Sequence, residues 1–186
     1  MCGGHGSRFD SETEKPLYEI AGRPMVDRVR EALAESRVET TYAVVSPNAP
    51  RTRRHVDTST IDAPGEGYVA DLQYALERVE APVLTVAADL PLLDGEAVDT
   101  VLDVYRGDSV LDVSRDDSVT VYVPAARKRS LGVSIGSTTT HDGETVTPAG
   151  INVVDGPDDT VYLTEDVRFA VNVNYREDAT LAESRL

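Results

Sequence analysis

The chain has 186 residues, enough for one domain, and its 40% apolar content with only 5% aromatics points to a core of Val, Leu, Ala and Ile. Thirty-three Asp and Glu against 18 Lys and Arg give a net charge of −15 with no basic stripe, which argues against nucleic acid as a partner. No apolar run approaches the roughly 18 residues of a membrane span, and a single cysteine excludes an internal disulfide and a multi-cysteine zinc site, as fits a cytoplasmic protein.

Lysine occurs only at Lys15 and Lys128, the other basic residues being arginine. Such an acidic, lysine-poor surface reads as one adapted to very salty surroundings, where screening relieves self-repulsion. Along the chain, helix and strand signals alternate, the pattern of an α/β fold with a mostly parallel sheet in one domain over 1–186. The first sixteen residues hold a glycine run, Gly3-Gly-His-Gly-Ser-Arg8, and then Lys15-Pro16. A helix is predicted from Met25 to Ser36, with Met25, Val29, Ala32 and Leu33 along one face. A strand over Thr41 to Val45 ends at the turn-rich Ser46-Pro-Asn-Ala-Pro50, which leads into a helix near Arg51. Residues 55–61 read as a strand, and Gly65-Glu-Gly-Tyr68 opens a helix that runs to Val79. Pro82 to Ala88, near-continuously apolar, reads as a buried parallel strand. A helix over Gly95 to Tyr105 and a strand over Val119 to Val123 follow. Residues 127–147 show no clean period and read as an excursion toward an acceptor. Strands at 149–154 and 168–173 and a helix from Arg176 close the pattern.

The glycine run carries the chemistry. Without Cβ atoms at Gly3, Gly4 and Gly6, backbone N–H groups can press against phosphate oxygens. Ser7 belongs to the same loop, while Arg8 and Lys15 supply a forked and a point-like cation. The spacing is neither a Walker A loop nor a dinucleotide GxGxxG. In open α/β sheets, ligands sit beyond the carboxyl ends of strands, and Asp89 follows the apolar strand at such an end. A carboxylate there can hold Mg²⁺ against triphosphate oxygens; the alternative, a cap for the next helix, is better served by Asp94. Gly65, Gly67 and Tyr68 precede a helix, where backbone donors suit a base edge or an anion, or form an ordinary turn and cap. Ser46 and Asn48 at a strand end allow the same two readings. Asn172 and Asn174 share one face of an extended segment and could orient a metal-bound water or an acceptor phosphate, or serve turn chemistry. The histidines (His5, His55, His141) show no metal-ligand spacing.

Gly3-Gly-x-Gly-x-Arg8 with Lys15-Pro resembles the signature of nucleotidyltransferases. Ser46-Pro-Asn-Ala-Pro-Arg-Thr52, Gly65-Glu-Gly-Tyr-Val-Ala-Asp-Leu72, Pro148-Ala-Gly-Ile-Asn-Val-Val154 and Val171-Asn-Val-Asn174 narrow it. With these the chain is similar to archaeal GTP:adenosylcobinamide-phosphate guanylyltransferases of the MobA-like superfamily. The glycine loop and Asp89 alone are shared with molybdenum-cofactor and sugar-phosphate nucleotidyltransferases. The resemblance implies a Rossmann-like three-layer fold and GMP transfer from GTP to adenosylcobinamide phosphate, in cobalamin synthesis, with release of pyrophosphate. It implies that Arg8 and the loop amides hold the triphosphate, Lys15 stabilises the α-phosphoryl and leaving group, and Asp89 binds Mg²⁺. Guanine would be met near Ser46 and Gly65 to Tyr68. The partners expected are GTP and a corrinoid phosphate, in a monomer or a homodimer. Another nucleotidyltransferase activity and a non-catalytic GTP-binding role are the alternatives. Two departures stand out. The first, central strand of that fold has almost no sequence ahead of Gly3, from which a start upstream of Met1 is expected. Asp10, Glu12 and Glu14 between the two cations should also weaken phosphate attraction at low salt.

Overall fold

The computed structural model describes residues 1–2, 9, 13–107 and 117–186. The phosphate-loop expectation at Gly3, Gly4, Gly6, Ser7 and Arg8 therefore lies outside the described residues, as do Asp10 and Glu12. A 3-10 turn at Lys15–Leu17 leads into a small antiparallel hairpin, β1 (Glu19–Ile20) and β2 (Arg23–Pro24). Its turn has positive φ at both Ala21 (49°) and Gly22 (73°), which matches the right-handed twist of the flanking strands. Helix α1 (Met25–Ala34) then buries Met25, Val29 and Ala32, spaced one turn apart along one stripe.

Strand β3 (Tyr42–Val45), helix α2 (Pro50–His55) and strand β4 (Ser59–Asp62) form a parallel pair with its crossover. Helix α3 (Tyr68–Leu76) and strand β5 (Val83–Val86) follow. Helix α4 (Gly95–Arg106) starts at Asp94, whose side chain accepts from Ala97 N–H at 2.8 Å, and stops at Gly107 in a left-handed conformation. Strand β6 (Ser118–Pro124) alternates strictly, with Val119, Val121 and Val123 fully buried. Helix α5 (Ala125–Leu131), the short β7 (Thr139–His141), the long β8 (Glu144–Val154), β9 (Asp159–Leu163), the single turn α6 (Val167–Ala170) and α7 (Arg176–Glu183) complete the order.

The ladders run β5-β8-β6-β9, with β7 on the start of β8. Met1 and Cys2 join this sheet to β3. The Met1 amine donates to Val86 O at 2.7 Å, Ala88 N–H to Met1 O at 3.2 Å, and Cys2 N–H to Val44 O at 2.8 Å. That pattern pairs Met1 with β5 in the parallel sense, so among the described residues Met1 and Cys2 lie where the central strand is expected. Beside them a cavity of about 800 Å³ runs between β3 and β5, walled by Val26, Leu33, Val44, Ala75 and Leu84.

The fold is α/β, and the sheet is mixed rather than mostly parallel. Pairs β3–β4 and β6–β9 are parallel, whereas β8 runs antiparallel to β5, β6 and β7. The β6–β8 register slips between Thr120 and Tyr122, and the Asn152 side chain accepts the Val121 N–H there at 3.2 Å. The main core joins α1, α4, β6 and β8 through Val29, Val98, Val101, Val121 and Ile151. Three sequence expectations are corrected. Residues 168–173 are not a strand: Asp166 caps the turn α6 by accepting Arg168 N–H at 2.9 Å, and 171–174 run on without a ladder. The unpatterned stretch at 127–147 contains most of α5 as well as β7, and β9 has no counterpart in the expected order. Among the described residues, no helix is long and apolar enough to cross a membrane.

Candidate active site

Asp89 stands three residues past Val86, where β5 ends, beyond the carboxyl end of that strand. Its backbone carbonyl accepts Val173 N–H at 2.9 Å, which draws the segment after α6 alongside it. Its side chain, 20% exposed, receives Lys15 Nζ on Oδ2 at 2.7 Å. The same Nζ donates to Asn174 Oδ1 at 3.1 Å. On the other oxygen, Asn172 Nδ2 donates to Asp89 Oδ1 at 3.2 Å and also to Ala149 O at 2.9 Å. Behind Asn172, Lys128 Nζ on α5 donates to Asn172 Oδ1 at 2.7 Å. Residues from four distant parts of the chain thus form one polar string, Lys15–Asp89–Asn172–Lys128, with Asn174 on its outer end.

Burial pushes the Lys128 ammonium below the usual lysine range, while the charges of Asp89 and Asp178 pull it back up. Tyr68, the first residue of α3, has its phenol raised by burial and then by the charge of Asp89. Tyr68 therefore lies within electrostatic reach of the carboxylate while half its surface remains exposed.

Lys15 is positioned by the residue before it. Glu14 accepts Arg51 N–H at 2.8 Å, Thr52 N–H at 2.6 Å and the Thr52 hydroxyl at 2.7 Å, so its carboxylate covers the start of α2. The Glu14 oxygens are thus engaged by donors at the start of α2. Asn174 is held similarly. Asp178, 1% exposed, accepts from Asn174 N–H and Tyr175 N–H, both at 2.9 Å, and from the backbone and hydroxyl of Ser134.

A second patch forms beside Tyr68. Asn48 N–H meets Ser46 Oγ at 3.2 Å, and Asn48 Nδ2 donates to Gly65 O at 3.3 Å, so the two turns lie against each other. Gly65 has φ +83°, and a Cβ there would stand 3.0 Å from Asn48 Nδ2, so glycine is required on both counts. The Gly65 and Glu66 N–H groups donate to the buried Asp71 carboxylate at 2.8 and 3.3 Å, as the turn-and-cap reading of this segment has it. Gly67 and Tyr68 remain at the helix entrance.

Among the described residues, no group of three or more His, Cys, Asp or Glu side chains could hold a metal ion. Asp89 is a lone carboxylate, and Asn172 turns its amide nitrogen, not its oxygen, toward it. One carboxylate of this kind fits a magnesium ion shared with substrate phosphates, not one caged by protein ligands alone.

Residues 1–144 match the family model of the MobA-like NTP transferase domain. The chain belongs to that family. Over its full length it is 28% identical to the adenosylcobinamide-phosphate guanylyltransferase of Methanocaldococcus jannaschii, covering 95% of that protein. Among solved structures it is similar to a hypothetical transferase from Thermus thermophilus, with 26% identity and a TM-score of 0.56, over 83% of this chain and 63% of that one. A candidate glucose-1-phosphate thymidylyltransferase from Bacillus anthracis superposes with a TM-score of 0.71 at 10% identity, over 99% and 92% of the two chains, a likeness of fold.

In this MobA-like transferase domain, the sequence-derived residues fall into two groups. Lys15, Asp89, Asn172 and Asn174 meet through side-chain hydrogen bonds, and Ser46, Asn48, Gly65, Gly67 and Tyr68 form the neighbouring patch. Sequence reasoning missed Lys128, Asp71 and Asp178 as organisers. Asp178 had a readable signal, an acid at the third position of a helix that opens after Asn174-Tyr175. Lys128 had one too, as one of only two lysines in the chain.

Proposed function

We propose that this chain transfers GMP from GTP to the phosphate of adenosylcobinamide phosphate, releasing pyrophosphate, in cobalamin biosynthesis. The reading rests on the full-length similarity to the archaeal guanylyltransferase, and the Lys15–Asp89 pair supports the chemistry. An acceptor phosphate oxygen attacks the α-phosphorus, a new P–O bond forms, and the α–β bridging bond breaks with pyrophosphate as leaving group. The second phosphate pKa is about 6, so the acceptor is already ionised near neutrality and needs no general base. What the protein supplies is placement and relief of anion repulsion.

Lys15 pairs with Asp89 at 2.7 Å. A triphosphate entering this end of the sheet competes for the Lys15 ammonium, which can turn from the carboxylate to the α-phosphoryl oxygens. Asp89 Oδ2 would then be the protein atom to hold a divalent cation, which would neutralise charge on the nucleotide's phosphates. Asn174, which already accepts from Lys15, keeps the ammonium from swinging away. Arg8 and the glycine-loop amides would hold the outer phosphates. The patch of Ser46, Asn48, Gly67 and Tyr68 borders the site on the side proposed for guanine. The acidic surface suits activity in molar salt in the cytoplasm.

The test is pyrophosphate release in molar KCl with Mg²⁺, GTP and adenosylcobinamide phosphate. Release that requires both substrates and fails with ATP is the expected result. Release with molybdopterin or a sugar phosphate in place of the corrinoid, or none with any acceptor, would overturn the reading.

A further inference from the structure

The reaction as described makes no direct use of Lys128, yet this residue is buried at 2% exposure in the middle of α5. An ammonium in such a place is costly unless it is paired, and an apolar side chain would pack there at lower cost. Its Nζ lies 2.7 Å from Asn172 Oδ1, one residue removed from the carboxylate that faces Lys15.

An amide has one acceptor oxygen and two N–H donors. In Asn172 all are committed: Oδ1 to Lys128, and Nδ2 to both Asp89 Oδ1 and Ala149 O. Reversing the amide would set its oxygen against a carboxylate and a carbonyl, and its N–H₂ group against an ammonium. Three attractive contacts would become three repulsive ones. Packing leaves the amide little room to move. A Cβ on Gly150 would stand 3.2 Å from Asn172 Nδ2, and Ala87 N–H donates to Gly150 O at 2.7 Å, so β8 closes over that side.

We propose that Lys128 is a positioning residue for the transfer site. By fixing the Asn172 amide it anchors Asp89 Oδ1 and leaves Asp89 Oδ2 turned toward Lys15 and the phosphate-bound cation. The proposal rests on the reading of Asp89 as the carboxylate that meets that cation. Lys128 touches neither substrate nor reacting atoms; it acts through Asn172. Partners of this kind behind a ligating group typically carry about 10–100-fold in metal affinity or activity.

The experiment compares the full chain with Lys128→Met, which keeps an unbranched stem and removes the charge and the donor. Mn²⁺ binding in the presence of GTP is followed by electron paramagnetic resonance, and steady-state rates are measured alongside. The expected result is Mn²⁺ affinity and kcat each lowered about 10–100-fold, with KM for GTP unchanged. A merely structural lysine would shift the melting temperature and leave Mn²⁺ affinity alone. Wild-type Mn²⁺ affinity and kcat in folded K128M would overturn the proposal. Should K128M not fold, Lys128→Gln, whose shorter amide leaves Asn172 Oδ1 unmet, is read on the same two quantities against the same outcomes. Because Mn²⁺ binding needs no turnover, the two failures separate. A wild-type chain that neither binds Mn²⁺ with GTP nor transfers GMP overturns the reading of Asp89, and with it this role. A wild-type chain that binds Mn²⁺, with a variant that binds it equally, overturns only the role of Lys128.

Discussion

Glu14→Gln tests whether the residue before Lys15 is a structural anchor. The Glu14 carboxylate accepts three hydrogen bonds, two from backbone N–H groups at the start of α2 and one from the Thr52 hydroxyl. Burial alone would raise its pKa, but the bonds from Thr52 and Arg51 outweigh it and leave the group below the ordinary carboxylate value. Glutamine keeps the shape, removes the charge, and turns an N–H₂ group toward donors that need an acceptor. Losing a cap of this sort costs about 0.5–2 kcal/mol. Glu14 is partly exposed, so about 1 kcal/mol is the working figure, or about 2–4 °C in melting temperature for a chain of this length. The sign follows from the lowered pKa. The stabilisation is fully present above the unfolded-state value, near 4.3, and disappears as pH falls through the folded value. Thermal melts followed by circular dichroism should therefore show a gap between wild type and E14Q at neutral pH that closes on the acid side. Equal melting temperatures at neutral pH, or a gap that persists unchanged in acid, would refute the anchoring argument.

Lys15→Ala should fold normally and lose about 10²–10³ in kcat; pyrophosphate release near the wild-type rate would remove Lys15 from the mechanism. Gly95→Ala should lower the melting temperature, because its Cβ would stand 2.7 Å from the Glu35 carbonyl oxygen, where α4 starts against the end of α1. A backbone clash of that kind costs about 1–3 kcal/mol, and Gly136→Ala, with open space around its Cβ, is the neutral control. Equal melting temperatures for the two variants would contradict the close approach. Raising KCl toward molar concentrations should raise the melting temperature of a chain with net charge −15, and a fall would contradict the self-repulsion argument.

Legibility from sequence followed the way each element is stabilised. Helices α1 and α4 and strands β5 and β6 bury residues with clean periods, and their expected spans differ from the observed ones by a few residues at most. Asp89 was readable because it ends such a strand. Residues 168–173 misled for the opposite reason. Phe169, Ala170, Val171 and Val173 are all fully buried, so the run has no exposed face to give a period, and the Asp166 cap decides the turn instead. Helix α5 was hidden by Lys128, a charge on the face that packs inward. Among the described residues strand β9 pairs only with β6, and its three central residues are half-buried, too weak an alternation to stand out after Gly156-Pro-Asp-Asp159. The pairing of Asn172 with Asp89, and of Asn174 with Lys15, depends on Val173 docking against the Asp89 carbonyl, a tertiary contact that no local pattern encodes.

The distribution of charge explains how so acidic a chain can accommodate the phosphate site proposed for it. Several of its carboxylates are not surface charge in any useful sense. Asp71 and Asp178 are nearly inaccessible, and with Glu14, Asp94 and Asp166 they accept backbone N–H groups at turns and helix starts. Their charge is met at short range by fixed backbone donors, and at the buried Asp71 and Asp178 salt screens it little. Several arginines, by contrast, sit in exposed pairs such as Arg23 with Glu31 and Arg53 with Asp62, which screening weakens and whose loss costs little. Against this background the two lysines are singular. Lys15 and Lys128 both end on the Asp89–Asn172 pair, one on the carboxylate and one on the amide behind it. A compact ammonium with rotatable donors fits where a single oxygen must be met and released, and a rigid guanidinium fork does not. The two lysines therefore mark the residues whose hydrogen bonds set the direction of the Asp89 carboxylate.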